Sequence, residues 1–188
     1  MEKIKIDSNA FVYPMPMALV GSVVNGKANF MALGWISRVN FKPPMIGIAL
    51  GPHYTNKGIA ENKAFSVNIP GISLIDKTDY CGLVSGRNTD KSEVFEVFYG
   101  DVRGAPLIKE CPVCMACRLY DEIRLPFNTL FVGEIVEVYS EERYLTDGNP
   151  DIKKINPFTL TMPDNNYWEV GNNAGKAWST GKKLKKKE

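Results

Sequence analysis

The chain's single histidine, His53, stands in the run His53-Tyr54-Thr55, just ahead of a short segment of helical character from Asn56 to Asn62. Thr55 is expected to cap that helix through its hydroxyl. The N–H groups left uncompensated at the helix start, together with its dipole, favour an anion such as phosphate. One histidine excludes a multi-histidine metal centre, and no nucleophile-elbow sequence supports a Ser-His-Asp hydrolase. Neither a P-loop nor a G-x-G-x-x-G run is present, so any nucleotide-like ligand must be held in another way. Cys111, Cys114 and Cys117 raise the rival of a zinc or iron–sulfur protein. On a strand, however, alternation puts Cys111 and Cys117 on one face and Cys114 on the other, so three thiolates would not converge.

These residues need a scaffold, and the chain reads as a series of short strands. Met17 to Val24 and Ala28 to Trp35 flank Asn25-Gly26, the dipeptide of a type I′ hairpin turn. Pro43-Pro44 cannot donate to a ladder and marks a turn into the apolar run Met45 to Leu50. Phe65 to Ile69 alternates apolar and polar residues. Ser73 and Asp76 have the spacing of a capping box for a helix that Gly82 would end. The polar loop Ser85 to Lys91 follows, then two more strands, Val113 to Tyr120 and Phe127 to Tyr139. At least six strands with few helices favour a mainly β fold, an antiparallel barrel, over a doubly wound sheet.

The length of 188 residues suits one domain, here residues 1–181, with a basic tail at 182–188. The net charge of +2 leans on that tail, through Lys182, Lys183, Lys185, Lys186 and Lys187. A terminal lysine run without a nucleic-acid motif reads as a solvated end, so no nucleic-acid partner is expected. No apolar segment follows Glu2, Lys3, Lys5 and Asp7, and no stretch approaches the roughly 20 apolar residues of a membrane span. A cytoplasmic protein without membrane attachment is expected. The crowded cysteines do not resemble a secreted disulfide framework, so reduced thiols fit that location.

Several separated motifs occur in a familiar order: Tyr13 to Gly21, Asn29 to Trp35, Pro43-Pro44, His53 to Thr55, Phe65 to Pro70, Asp79 to Gly82, Ser85-Gly86-Arg87 with Asp90-Lys91, Phe131 to Ile135, Asn156 to Phe158 and Gly175 to Ala177. Together they resemble the flavin-reductase-like family, and within it the flavoredoxin branch, over nearly the whole chain. The resemblance implies an FMN-binding split β-barrel, Greek-key-like, and a homodimer with flavin near the subunit interface. It implies that Asn29 and Trp35 flank the flavin and that Thr55 and Lys91 hold its phosphate, with Ser37, Arg38 and Asn56 as neighbours. Phe158 matches a flavin-packing residue. Asn128 stands where flavoredoxin-like sequences carry a histidine.

These side chains suit such a ligand: an amide for polar edges, an indole for an aromatic ring, a hydroxyl and an ammonium for phosphate oxygens. The implied function is electron transfer through FMN, with electrons from NAD(P)H or from a protein donor. A ferric reductase and a flavin-binding module without turnover remain open alternatives. The flavin carries the redox chemistry, so no catalytic acid or base is required.

Overall fold

The computed structural model describes residues 1–184. The last four residues of the basic tail, 185–188, lie outside them, while Lys182 and Lys183 sit on an exposed 3-10 turn, Thr180–Leu184. The strands are β1 (Met15–Pro16), β2 (Ala18–Val24), β3 (Lys27–Leu33), β4 (Ile36–Asn40), β5 (Met45–Leu50), β6 (Ala64–Ile69), β7 (Val97–Phe98), β8 (Leu107–Ile108), β9 (Val113–Arg124), β10 (Thr129–Ser140), β11 (Leu145–Thr146), β12 (Asn149–Pro150), β13 (Phe158–Thr161) and β14 (Asn166–Glu169). The helices are α1 (Thr55–Asn62), α2 (Ile75–Leu83) and α3 (Ile152–Ile155). No helix among the described residues is long and apolar enough to cross a membrane.

Seven strands form one antiparallel sheet in the order β3-β2-β6-β9-β10-β5-β4. Asn25 and Gly26 adopt φ of 50° and 77°, as the type I′ hairpin between β2 and β3 requires. Alternation then sorts the side chains to two faces. Ala18, Val20, Met31, Leu33, Ile48, Leu50, Phe65, Val67, Cys117 and Phe131 share one cluster. Since this cluster unites β3 with β5 from opposite ends of the strand order, the sheet must roll up around it. The seam lies between β3 and β4, where the chain turns through Gly34 and Trp35 and the Trp35 carbonyl accepts from Ala49 N–H at 3.0 Å.

Helix α1 sends Ile59 into that interior cluster. Its Gly58 lies so close to β2 that a Cβ there would stand 2.4 Å from the Val23 carbonyl oxygen. Helix α2 covers the outer face of β3, and its Cys81, with Leu74 from the turn before it, joins a second cluster with Leu19, Phe30, Leu107, Cys111 and Cys114.

Four local expectations need correction. Thr55 is the first residue of α1 rather than its cap, and no side chain caps the helix. Ser73 lies in the 3-10 turn Ile72–Leu74 and makes no capping box, because α2 begins only at Ile75. Gly82 does not end α2, which runs to Leu83. Cys111 precedes β9 in a turn, with its N–H on the Ile108 carbonyl at 3.2 Å. It therefore joins Cys114 in the outer cluster, and Cys117 alone enters the interior. Burial pushes the Cys114 and Cys117 thiols up to about 12 and Cys111 well above its ordinary value. Those thiols stay protonated at neutral pH.

Candidate functional site

Three of the residues expected at the site meet although they come from distant segments. Asn29 is on β3, Thr55 opens α1, and Lys91 ends the polar loop after α2. All three line one cavity of about 200 Å³, walled also by Met31, Ala32 and His53. The Asn29 amide nitrogen donates to the Thr55 hydroxyl at 2.8 Å. That bond uses an acceptor lone pair of the hydroxyl and leaves its proton free to donate.

Lys91 is only 4% exposed. Its ammonium donates to the Cys81 carbonyl at 3.2 Å and to the Val84 carbonyl at 2.9 Å, stabilising the C-terminal end of α2. An ammonium has three N–H donors, so one remains. Burial lowers the Lys91 pKa from its ordinary value. Burial, and then the Lys91 charge, likewise lower that of His53, which is therefore neutral at pH 7. A positive, partly desolvated pocket with two uncommitted donors is suited to an anion.

The helix start contributes less than its sequence suggests. Asn56 and Lys57 N–H groups already donate to the His53 and Tyr54 carbonyls, each at 3.2 Å. Side chains, rather than a row of free amides, must supply most of the contacts. The remaining feature is an orphan: Asn29 Oδ1 is buried without a hydrogen-bond partner. A buried acceptor of this kind costs about 1–3 kcal/mol unless a donor reaches it. Phosphate oxygens cannot supply that donor, whereas a ligand hydroxyl can.

The other expected residues are dispersed. Trp35, 46% exposed, lies at the barrel seam and lines a separate cavity of about 480 Å³ with Ser37 and Phe11. The Phe11 and Trp35 ring centroids are 6.5 Å apart. Arg38 folds back onto the Asn40 carbonyl at 2.7 Å. Asn56 braces the approach to α1 by donating to the Gly51 carbonyl at 2.9 Å. Asn128 lies in the β9–β10 turn, facing Gly51 from beside His53: a Cβ on Gly51 would stand 3.7 Å from Asn128 Oδ1 and 3.5 Å from His53 Nε2. Phe158 is 1% exposed, its ring edge-on to Tyr167 at 5.3 Å, so within the protomer it packs β13 instead of lining the pocket.

Gly86, within the Ser85-Gly86-Arg87 motif, joins the site although the sequence reading named no role for it. A Cβ there would fall 2.0 Å from Asn29 Oδ1 and 2.9 Å from Tyr54 Cδ1. Its sequence signal is its place in that motif of the polar loop. Among the described residues no three His, Cys, Asp or Glu side chains gather as metal ligands.

The flavin reductase like domain matches residues 10–156. The crystal structure of flavoredoxin from Methanosarcina acetivorans is 58% identical, with 98% of this chain and 100% of that chain covered and a TM-score of 0.97. Flavoredoxin of Desulfovibrio vulgaris (Miyazaki F) is 34% identical, with 95% of this chain and 100% of that chain covered and a TM-score of 0.87. A split-barrel-domain structure from Shewanella frigidimarina NCIMB 400, at 20% identity, shares the fold with a TM-score of 0.78, covering 91% of this chain and 89% of that one. The rolled sheet with its open seam is thus a split β-barrel.

Proposed function

The chain belongs to the flavin reductase-like family, and we propose that it binds FMN as a cytoplasmic homodimer and passes electrons through it. The observation that carries this reading is the pairing, in one cavity, of two free donors with one orphaned acceptor. Thr55 and Lys91 suit the phosphate, and the buried Asn29 Oδ1 suits a hydroxyl of the ribityl chain. A ligand carrying only phosphate would leave the Asn29 acceptor unmet, and one carrying only hydroxyls would leave the Lys91 charge uncompensated. The cavity holds about 200 Å³, below the 300–1,000 Å³ typical of a whole ligand of this size. It therefore takes the polar end and leaves the ring outside it.

The natural path for the rest is along β3. From Asn29 to Trp35 is about 20 Å of extended chain at roughly 3.3 Å per residue. That path ends at the exposed indole, which can pack against a flat ring. Bound FMN supplies reversible one- or two-electron chemistry. The protein's own part is to hold the phosphate with Thr55 and Lys91, orient the polyol with Asn29 and shield the ring with Trp35.

A partner subunit would complete that shield. Val39 on β4 and Leu130 on β10 meet over Gly47, and Leu130 pairs with Ile123 on β9. Val39 and Ile123 are both exposed, so the outer face of the sheet presents an apolar row suited to a second copy of the chain.

The test is the identity of the ligand released from purified protein, followed by anaerobic addition of NAD(P)H. FMN in the released fraction, with bleaching of the yellow colour by the nicotinamide, is the expected result. A colourless protein that takes up no added FMN would overturn the reading. Colour that no nicotinamide bleaches would point to a protein electron donor or to a flavin-binding module without turnover.

A further inference from the structure

A further cavity, of about 580 Å³, lies beside the outer cluster and shares no residue with the phosphate cavity. Phe98 and Tyr139, edge-on with ring centroids 5.5 Å apart, wall it on one side, and Cys111 and Cys114 line it together. On an unbroken strand two residues three apart would face opposite ways. Here the chain bends at Cys111 and Pro112, before β9 begins at Val113, so both thiols reach the outer side. The Ile108 carbonyl accepts from both residues, from the Cys111 N–H at 3.2 Å and from the Cys114 thiol at 3.0 Å. The Cys114 sulfur also stands 3.6 Å from the Cys111 carbonyl oxygen. Two thiols spaced C-x-x-C therefore border one cavity whose volume falls within the range of small-molecule sites. We propose that Cys111 and Cys114 form a dithiol site, separate from the flavin cavity, that reduces a low-molecular-weight disulfide admitted through this cavity.

The exchange takes place in two attacks. One cysteine gives up its proton, and its sulfur attacks one sulfur of the small disulfide. That S–S bond breaks, and the first small thiol leaves with a proton. The second cysteine then gives up its proton and attacks the protein sulfur of the mixed disulfide, expelling the second small thiol. Two protein thiols become one Cys111–Cys114 bond and the small disulfide becomes two thiols, so two electrons and two protons pass to it.

Burial decides the direction and the pace. It holds both thiols well above their ordinary range, so the thiolate is scarce and the exchange takes hours. A thiol of high pKa is also a poor leaving group, so the Cys111–Cys114 bond, once formed, resists attack by a small thiol. The pair gives electrons rather than taking them. Cys117 has no part in this, because its side chain enters the interior cluster. Around the cavity Glu96 pairs with Lys109, Glu141 with Arg143 at 2.7 Å, and Glu110 with Lys77 at 3.2 Å. The charges there cancel, so a small disulfide without net charge meets no repulsion.

The test is anaerobic incubation of the purified full chain with excess bis(2-hydroxyethyl) disulfide at neutral pH for hours, followed by thiol counting and mass spectrometry. Two of the four free thiols are expected to disappear, with a mass loss of two hydrogens and no probe attached. Cys117→Ser should lose two thiols in the same way, which assigns the bond to Cys111 and Cys114 within their shared tryptic peptide. Cys114→Ser should form no internal bond. Retention of all four thiols under conditions that oxidise the urea-unfolded chain would overturn the inference. So would a bond that includes Cys81 or Cys117, a stable probe adduct in place of the internal bond, or loss of two thiols in Cys114→Ser. The reaction needs no flavin, so its outcome is independent of the ligand analysis that tests the FMN reading.

Discussion

Replacing Lys91 by methionine keeps an unbranched apolar stem and removes the ammonium, so it separates the two jobs of this buried side chain. The first job is structural. The Cys81 and Val84 carbonyls lose their 3.2 Å and 2.9 Å partners, while the cost of burying a charge, visible in the lowered Lys91 pKa, disappears. These effects partly offset, and a stability loss of about 1–3 kcal/mol is expected. The second job is binding. One charge-assisted hydrogen bond contributes roughly 1.5–3 kcal/mol, so FMN affinity should fall about ten- to hundredfold. Riboflavin has no phosphate, and its affinity should scarcely change. Titrating wild type and variant with both flavins, after chemical denaturation has shown that the variant remains folded, makes the comparison. Equal losses for FMN and riboflavin would refute the reasoning and assign Lys91 solely to the support of α2.

Gly86→Ala should weaken FMN binding at least about tenfold and also lower the unfolding midpoint, because a methyl group 2.0 Å from Asn29 Oδ1 must push that amide off Thr55. Unchanged affinity would show that the Asn29 amide is not a ligand-orienting group. His53, as the single histidine, gives one imidazole signal in NMR, and burial and Lys91 hold its pKa below 6.5 in the flavin-free protein. Between that lowered value and 6.5 the unfolded chain binds a proton that the folded chain refuses, so stability should decline as pH falls through this window. FMN phosphate should raise the midpoint, and a signal indifferent to FMN would remove His53 from the neighbourhood of the phosphate. Val39→Asp places a charge in the apolar row over Gly47 and should halve the mass seen by size-exclusion with light scattering. Persistence of a dimer would move the interface elsewhere.

Local chemistry makes much of this protein legible in its sequence. Asn25-Gly26 specifies its own hairpin because positive φ is cheap for those residue types. The apolar runs read at 17–24, 45–50, 65–69 and 127–139 each contain most of a strand of the rolled sheet, since burial on a pleated surface follows side-chain alternation. The motifs in which Asn29, Thr55 and Lys91 occur identify the family, and with it the class of ligand, without distances. β4 has no comparable signal, because Ile36–Asn40 is a mostly exposed edge strand whose pattern carries no core face.

Only the tertiary structure decides how those residues are used. The Thr55 hydroxyl has two possible partners, a local amide in its own helix and the Asn29 side chain, and the packing of α1 beside β2 and β3 selects the second. Cys111 leaves the face that alternation would give it because a turn bonded to Ile108 replaces the strand at that point. Lys91 looks in sequence like the partner of Asp90, yet Asp90 turns outward to Lys27 while Lys91 turns inward to the end of α2. In each case residues far apart along the chain compete with near neighbours for the same donor or acceptor. Periodicity describes which side of an element is buried, but the choice among such partners depends on which elements the rolled sheet brings within about 3 Å of one another.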